Sequence, residues 1–150
     1  MARSQEDSYG TDVSVDRNQR IRRKVWTAIR DFHDMAWAPN VIAKVEVIGD
    51  KKGHEVGAGR ILNDAFRETL REVNNDARSL AYSIDDGPPP VSTADVSNYI
   101  GRVSARPVTE GGGTFVEWSS AWERNDKATA EFCHGIYVAL LADMKKSLER

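Results

Sequence analysis

The sequence predicts an α+β protein in which a curved antiparallel sheet of about seven strands wraps around a long C-terminal helix. Three observations carry this prediction. Short runs of alternating apolar and polar residues fill the middle of the chain and are separated by turn residues. The connections between these runs are too short for parallel crossovers. The last segment, from Lys127 to Arg150, instead repeats its apolar residues at helical intervals.

Before the central strands, the sequence indicates one strand followed by one or two short helices. The alternating letters SYGTDVSVD, from Ser8 to Asp16, predict the first strand. Asp16 is a suitable cap for the helix that follows, in which apolar residues recur at helical spacing through IRRKVWTAIRDF. Pro39 ends a further helical turn, because the residue before a proline favours an extended backbone.

Six strands are predicted between Pro39 and the terminal helix. They are VIAKVEVI, EVGAGRIL, AFRETLREV, RSLAYSI, a long strand from Ala94 to Pro107, and TFVEWSSAWE. The terminal helix carries a predicted apolar stripe of Phe132, Ile136, Ala139, Leu140, Met144 and Leu148. A sheet of this size must bury one face, and this helix is the expected cover.

Composition limits the classes of function. The 150 residues are 40% apolar and 29% charged, which suits one domain over residues 8–150 after a poorly ordered polar tail over 1–7. A net charge of -2 argues against binding to nucleic acid. No apolar run approaches the ~18 residues of a membrane span, and no signal peptide is apparent, so we expect a cytoplasmic protein without stable membrane insertion.

Metal and disulfide chemistry are not expected either. The chain has a single cysteine, Cys133, which excludes an internal disulfide and a cysteine-based zinc site. The histidines His33, His54 and His134 do not share one element at metal-ligand spacing. We therefore predict no metal site. We also predict no cofactor, and a protein that is a monomer or a homodimer.

The stretch VGAGRILNDAFRETLREV allows two interpretations. Gly57 and Gly59 have the spacing of a phosphate-binding loop, but the third glycine of that motif is missing. The turn sequences NDA and NNDA on either side of AFRETLREV favour a β-hairpin instead.

In the hairpin interpretation, period-two alternation places two charged side chains on the inner face. Glu68 shares a face with Phe66 and Leu70, and Arg60 shares a face with Leu62. A turn at Asn63-Asp64 would set the two strands side by side and allow Arg60 to pair with Glu68. Such a pair is either structural or part of a functional site, and the residues alone leave both open.

Aromatic residues and small residues share the other predicted inward positions. Tyr82, Tyr99 and Trp118 fall on the faces that carry apolar neighbours. Small residues (Gly101, Ala105 and Ser120) lie beside them and would leave space rather than fill it. Small residues opposite large ones on a curved sheet can form a ligand pocket, so an internal apolar cavity is predicted.

An ordered series of weak motifs extends this interpretation. The series is Trp26 to Phe32, Trp37-Ala38-Pro39, Val56 to Arg60, Glu68-Thr69-Leu70, Tyr82-Ser83-Ile84, and Thr114 to Trp118. From about residue 11 onward the chain resembles the START-related superfamily, also called SRPBCC or helix-grip proteins, and most closely its polyketide cyclase/dehydrase-like branch. The resemblance implies a curved antiparallel sheet that grips a long helix around a largely apolar cavity.

The resemblance also implies roles for particular residues. In a similar enzyme, lachrymatory factor synthase, the residues that match Arg60 and Glu68 are implicated in proton transfer, and Tyr99 matches a cavity tyrosine. Ile84 departs from that enzyme, which has a second tyrosine there. In the related plant hormone receptors a cavity lysine anchors the ligand, and Lys44 is the nearest candidate here. The expected ligand-binding residues are Trp37, Pro39, Leu62, Phe66, Tyr82, Tyr99, Trp118, Phe132 and Ile136.

Three functions follow. The first is a carrier or sensor of a small hydrophobic molecule (polyketide-, lipid- or isoprenoid-like), with Arg60 as anchor for a carboxylate or carbonyl. The second is a cofactor-independent cyclase, dehydratase or isomerase in which Glu68 is the general acid or base, Arg60 stabilises negative charge, and Tyr82 or Tyr99 orients the substrate. The third is a protein-interaction module. The sequence does not separate carrier from enzyme.

Overall fold

The computed structural model of the chain describes residues 4–13, 19–107, 113–123 and 127–149. Nine elements follow one another along them. They are β1 (Ser4–Val13), α1 (Gln19–Arg30), β2 (Val45–Ile48), β3 (Gly59–Leu62), β4 (Phe66–Asn74), β5 (Ser79–Asp86), β6 (Ser97–Pro107), β7 (Thr114–Glu123) and α2 (Lys127–Leu148). No helix among the described residues is both long and apolar enough to cross a membrane.

The strands form a seven-stranded antiparallel sheet, in the order β1-β7-β6-β5-β4-β3-β2. Strands β2 to β7 follow one another as a meander, and β1 returns to pair with β7. The ladder shifts register between Arg67 and Glu68, between Leu70 and Glu72, and again in β6 after Ser97. Such irregularities bend and twist strands, which lets the sheet curve around a helix. The predicted fold class is confirmed.

Helix α2 packs against the inner face of the sheet through one stripe of residues. The buried members are Thr129, Cys133, Tyr137, Leu140, Leu141, Met144 and Leu148. The predicted stripe was wrong at Ala139, which is exposed, while Phe132 and Ile136 lie half-buried at its edge. The stripe is centred on Cys133 and Tyr137 because the helix meets the aromatic side chains of the sheet along that line.

Several predicted boundaries differ from those observed. β1 begins at Ser4 rather than Ser8, so residues 4–7 belong to the strand instead of a tail, while residues 1–3 and the predicted cap Asp16 lie outside the described residues. β2 was predicted from Val41 but begins at Val45, because the amides of Val41 and Ile42 bond to the carbonyl of Ala38 in a turn.

Two later strands also start after their predicted positions. β3 begins at Gly59, since residues 53–57 form turns in which Gly57 has a φ of 98°. β6 begins at Ser97 rather than Ala94, because the amide of Asp95 bonds to the carbonyl of Ser92 in a further turn. Both differences reflect local turns that period-two alternation does not reveal.

The predicted hairpin between β3 and β4 is present. Asn63 and Asp64 both have positive φ, 53° and 55°, and the amide of Ala65 bonds to the carbonyl of Leu62 at 2.9 Å. Asn and Asp tolerate this left-handed conformation better than most residues, which explains their place in the turn. The resulting register puts Arg60 directly opposite Glu68.

Candidate functional site

A cavity of about 220 Å³ lies between α2 and the inner face of the sheet. Its lining residues are Met35, Val41, Ile42, Arg60, Leu62, Asn63, Phe66, Glu68, Tyr82, Ile84, Val91, Tyr99, Trp118, Phe132, Cys133, Ile136, Tyr137 and Leu140. An engineered apolar cavity of about 150 Å³ accepts benzene, so this one has room for a molecule somewhat larger than a single ring.

The cavity has a polar floor and an apolar rim. Arg60, Glu68, Tyr82, Tyr99 and Tyr137 are all buried at the floor. The lining residues that are only half-buried are apolar: Val41, Ile42, Phe66, Ile84, Phe132 and Ile136. Across the rim the rings of Phe66 and Phe132 stack with their centroids 6.2 Å apart. A ligand entering here would meet mostly apolar surface first, with the exposed Asn63 as the polar exception, and the buried polar groups last.

Two asparagines hold the part of the rim that carries Val41 and Ile42. Asn40 donates through its backbone and its side chain to both carboxylate oxygens of Asp143 on α2, at 2.8 and 2.7 Å. Asn63 accepts from the amide of Ala43 at 2.8 Å and donates to the carbonyl of Val41 at 2.9 Å. The segment before β2 is therefore fixed to both the helix and the sheet.

Arg60 and Glu68 form a buried ion pair at the floor. Nε of Arg60 donates to Oε1 of Glu68 at 2.8 Å, and Nη2 lies 2.7 Å from the same oxygen. Both side chains are only 6% exposed. Removing two charges from water is costly, and close pairing in a cross-strand register offsets that cost.

The end of α1 and the residues after it complete the surroundings of Arg60. Nη1 of Arg60 donates to the carbonyl of Phe32 at 2.9 Å and to the sulfur of Met35 at 3.4 Å. The guanidinium also lies over the Phe32 ring, 3.7 Å from its centroid. A guanidinium held by a carboxylate, a carbonyl and an aromatic face has little freedom to reorient.

Glu68 is the less satisfied partner of the pair. Its second oxygen, Oε2, accepts no hydrogen bond from the residues that the structure describes. Burial raises the pKa of the Glu68 carboxyl above its usual value, and the charge and hydrogen bonds of Arg60 offset this only in part. A carboxyl whose pKa is raised by burial in a cavity is a candidate for proton transfer.

The raised pKa predicts how stability depends on pH. Because the folded pKa of Glu68 lies above its unfolded value of about 4.3, the folded state binds this proton more tightly than the unfolded state. Its contribution to stability is therefore complete below about pH 4 and is lost as pH rises through the folded pKa. The free energy of unfolding of the wild type and of Glu68→Gln is measured by urea denaturation. The value for the wild type minus the value for Glu68→Gln should fall as the pH rises. A difference that rises with pH would show a depressed pKa.

Aromatic side chains link the floor to α2 through a chain of hydrogen bonds. Nε1 of Trp118 donates to Oη of Tyr82 at 2.9 Å, and the hydroxyl of Tyr82 lies 3.3 Å from that of Tyr137. The hydroxyls of Tyr137 and Tyr99 are in contact, and Tyr99 donates to the sulfur of Cys133 at 3.3 Å. Burial raises the pKa of all three tyrosines well above the usual range, so these hydroxyls stay protonated.

The space that Gly101 was predicted to leave for a ligand is filled by a protein side chain. Gly101 lies opposite Tyr82 in the ladder, and a Cβ at Gly101 would lie 2.5 Å from Oη of Tyr82. The missing side chain therefore makes room for the Tyr82 ring rather than for a ligand. The cavity lies instead between this ring, the Arg60–Glu68 pair and α2.

Most of the predicted ligand-binding residues come together at the cavity. Arg60, Glu68 and seven of the expected ligand-binding residues line it: Leu62, Phe66, Tyr82, Tyr99, Trp118, Phe132 and Ile136. Two do not. Trp37 is buried behind the floor, where its ring lies 6.2 Å from that of Trp118, and Pro39 is exposed beside a surface groove.

The lysine candidate was also wrong. Lys44 is exposed, and its ammonium pairs with Asp64 at 2.8 Å, outside the cavity. It lies just before β2, at the edge of the sheet, where its side chain can reach the hairpin turn but not the interior. The hydrogen bond and charge of Asp64 raise the pKa of Lys44.

Several residues that line the cavity were not predicted from the sequence. Met35, Val41 and Ile42 lie in the irregular segment between α1 and β2, where no period assigns a face. Val91 lies in the turn after the proline run. Tyr137 could have been found, because it is four residues after Cys133 and therefore on the same helical face.

The described residues contain no group of three or more His, Cys, Asp or Glu side chains that could hold a metal ion. His33 lies beside the same surface groove as Pro39 and bonds through Nε2 to the carbonyl of Gly59 at 3.0 Å. The histidine thus connects the segment after α1 to β3.

The fold and the cavity define a class of protein: a helix-grip protein with a largely apolar, ligand-sized space between its sheet and its C-terminal helix. Residues 19–149 match the model of the family described as polyketide cyclase/dehydrase and lipid transport. The chain belongs to this family.

Solved structures agree with the assignment. A protein from Nitrosospira multiformis is 36% identical, with a TM-score of 0.89 and coverage of 96% of both chains. An uncharacterised protein from Bacillus thuringiensis is 23% identical, with a TM-score of 0.75 over 96% of this chain and 98% of that one. The protein XoxI from Bacillus cereus is 23% identical, with a TM-score of 0.73 over 95% and 94%. The last two show the fold alone. No curated protein matches the sequence.

Proposed function

We propose that this protein binds a small hydrophobic molecule in its internal cavity, as a carrier or sensor. The observation that carries the proposal is the cavity itself, about 220 Å³, with a half-buried apolar rim and a buried polar floor. Ligand sites are concave and mostly apolar, with a few polar groups that fix orientation. The family assignment, which includes lipid transport, supports the same function.

The test is to fill the cavity. Ile84 lines the cavity at its rim, so Ile84→Phe should occupy its space and abolish binding of p-xylene, measured by chemical-shift changes in a ¹H–¹⁵N NMR titration. Val138 lies on the exposed face of α2 outside the cavity, so Val138→Phe is the matched control and should bind p-xylene as the wild type does. Equal binding by the wild type and Ile84→Phe would refute a ligand site in this cavity.

A second candidate function is proton transfer by Glu68. Two observations favour it: Oε2 accepts no hydrogen bond from the described residues, and burial raises the pKa of the carboxyl. In this mechanism Oε2 removes a proton from a carbon next to a carbonyl and returns it at another position, so no cofactor is needed. Arg60 keeps Glu68 in place through Oε1 and supplies positive charge nearby.

The second candidate is tested with an enolisable ketone of suitable size, 2-tetralone. We expect the wild type to accelerate exchange of the α-protons for deuterium in D₂O, followed by NMR, and Glu68→Gln to lose at least a hundredfold of that acceleration, as for removal of a general base. Thr69→Val, which alters the neighbouring residue on the other face of β4, is the control. Equal rates of deuterium exchange with the wild type and with Glu68→Gln would refute proton transfer by Glu68. Ligand binding would then remain as the proposed function.

A further inference from the structure

The donors of Arg60 are directed at protein atoms. Nε and Nη2 are directed at Oε1 of Glu68, and Nη1 at the carbonyl of Phe32 and the sulfur of Met35. A guanidinium has five N–H donors, which leaves one, on Nη2 beside the carboxylate. A ligand atom that accepted a hydrogen bond from this remaining N–H would also lie next to the carboxylate of Glu68.

The direction of the tyrosine chain follows from Tyr99, which is the donor to Cys133. Tyr99 donates its proton to Cys133, so the contact between Tyr99 and Tyr137 requires Tyr137 to be the donor. The hydrogen bond between Tyr82 and Tyr137 then requires Tyr82 to donate, and Tyr82 accepts from Trp118. Each O–H of the chain is therefore directed at another protein atom and not at the cavity.

Apart from that one N–H of Arg60, the polar atom left at the floor is an acceptor. Oε2 of Glu68 has no hydrogen-bond donor among the described residues, although the side chain is only 6% exposed. Oε2 is not one of the fully enclosed unpaired atoms of the described residues, which are Trp37 Nε1, Ser120 Oγ and Trp122 Nε1, so a ligand donor in the cavity can reach it and form a charge-assisted hydrogen bond. A ligand carboxylate would instead place a second negative charge against Glu68.

We propose that the cavity selects a neutral molecule whose polar group is a hydrogen-bond donor, namely an alcohol, phenol or enol of about ten non-hydrogen atoms, and rejects carboxylates. The hydroxyl donates to Oε2 of Glu68 and can accept from the remaining N–H of Arg60. This selectivity rests on the proposed ligand-binding function. It reverses the expectation that Arg60 anchors a ligand carboxylate or carbonyl, because Arg60 is already engaged by Glu68, Phe32 and Met35.

Four probes of nearly equal size test the selectivity: p-xylene, 4-methylbenzyl alcohol, 4-methylbenzaldehyde and 4-methylbenzoate. Dissociation constants come from ¹H–¹⁵N NMR titrations at pH 8. We expect the alcohol to bind about tenfold more tightly than p-xylene, because a hydrogen bond to a charged group is formed. The aldehyde should bind no better than p-xylene, and the benzoate more weakly than all of them.

Glu68→Gln provides the matched variant. Gln keeps the shape of Glu but presents an amide N–H₂ to the cavity. The alcohol should therefore no longer bind more tightly than p-xylene, while the affinities of the aldehyde and the benzoate should increase. Ile136→Val shortens a lining side chain on α2, which is not a strand neighbour of the pair, and should change the four affinities alike. If Glu68→Gln does not fold, the order of affinities in the wild type decides.

The outcomes are distinct. An alcohol that binds most tightly and a benzoate that binds least support the proposal. Equal binding of the four probes, or tighter binding of the benzoate than of the alcohol, would overturn the selectivity while leaving ligand binding in place. Failure of every probe to bind the folded wild type would overturn both the selectivity and the proposed function.

Discussion

Arg60→Met should destabilise the protein by about 3–5 kcal/mol, the expected cost of breaking a buried ion pair by removing one partner. The substitution leaves the Glu68 carboxylate buried without its partner, and it also removes the donor to the carbonyl of Phe32. Urea denaturation at pH 7 measures the loss. The large expected effect comes from the uncompensated charge rather than from the strength of the pair itself.

The double variant Arg60→Met/Glu68→Leu separates these two contributions. With both charges replaced by apolar groups of similar size, most of the lost stability should return. Lys44→Met is the surface control, because its pair with Asp64 is exposed and should have little measurable effect. A loss for Arg60→Met as small as that for Lys44→Met would mean that Arg60 and Glu68 are not a buried pair.

Gly101→Ala should cost about 3 kcal/mol, since overpacking and loss of a buried hydrogen bond act together. The added Cβ would lie 2.5 Å from Oη of Tyr82, so the ring must shift. That shift breaks the bond from Trp118 and the contact with Tyr137. Binding of p-xylene should also weaken, because Tyr82 lines the cavity.

Two variants check the cause of this loss. In Gly135→Ala the added Cβ meets nothing within 4 Å, so the variant should be stabilised by up to about 1 kcal/mol through helix propensity. Tyr82→Leu shortens the side chain that Gly101→Ala displaces, so the two changes combined should cost less than their sum. Additive losses would show that Gly101 matters for a reason other than its contact with Tyr82.

The parts of the site that were predictable are those governed by strand alternation and turn chemistry. Asn63-Asp64 marked a hairpin, and the alternation on either side placed Arg60 and Glu68 on the inner face; the observed register sets them opposite each other. These rules are local and depend on few residues. For the same reason the long terminal helix and the strand Thr114–Glu123 were predicted with correct limits or nearly so.

The parts that were not predictable depend on packing over long sequence distances. Nothing local shows that Gly101 accommodates Tyr82, that Asp143 holds Asn40 across 103 residues, or that Trp37 lies behind the floor instead of in the cavity. The direction of the tyrosine chain likewise requires the positions of its members on β5, β6 and α2. Such features determine which polar atoms remain available to a ligand.

The most direct test of the ligand site is to locate a bound probe. Intermolecular NOEs between 4-methylbenzyl alcohol and the protein should connect the probe to the methyl groups of Ile84, Val91 and Leu140, which line the cavity. No NOE to the exposed methyl groups of Val47, Val56 or Val138 is expected. NOEs confined to those exposed valines, or no binding at all, would contradict an internal ligand site.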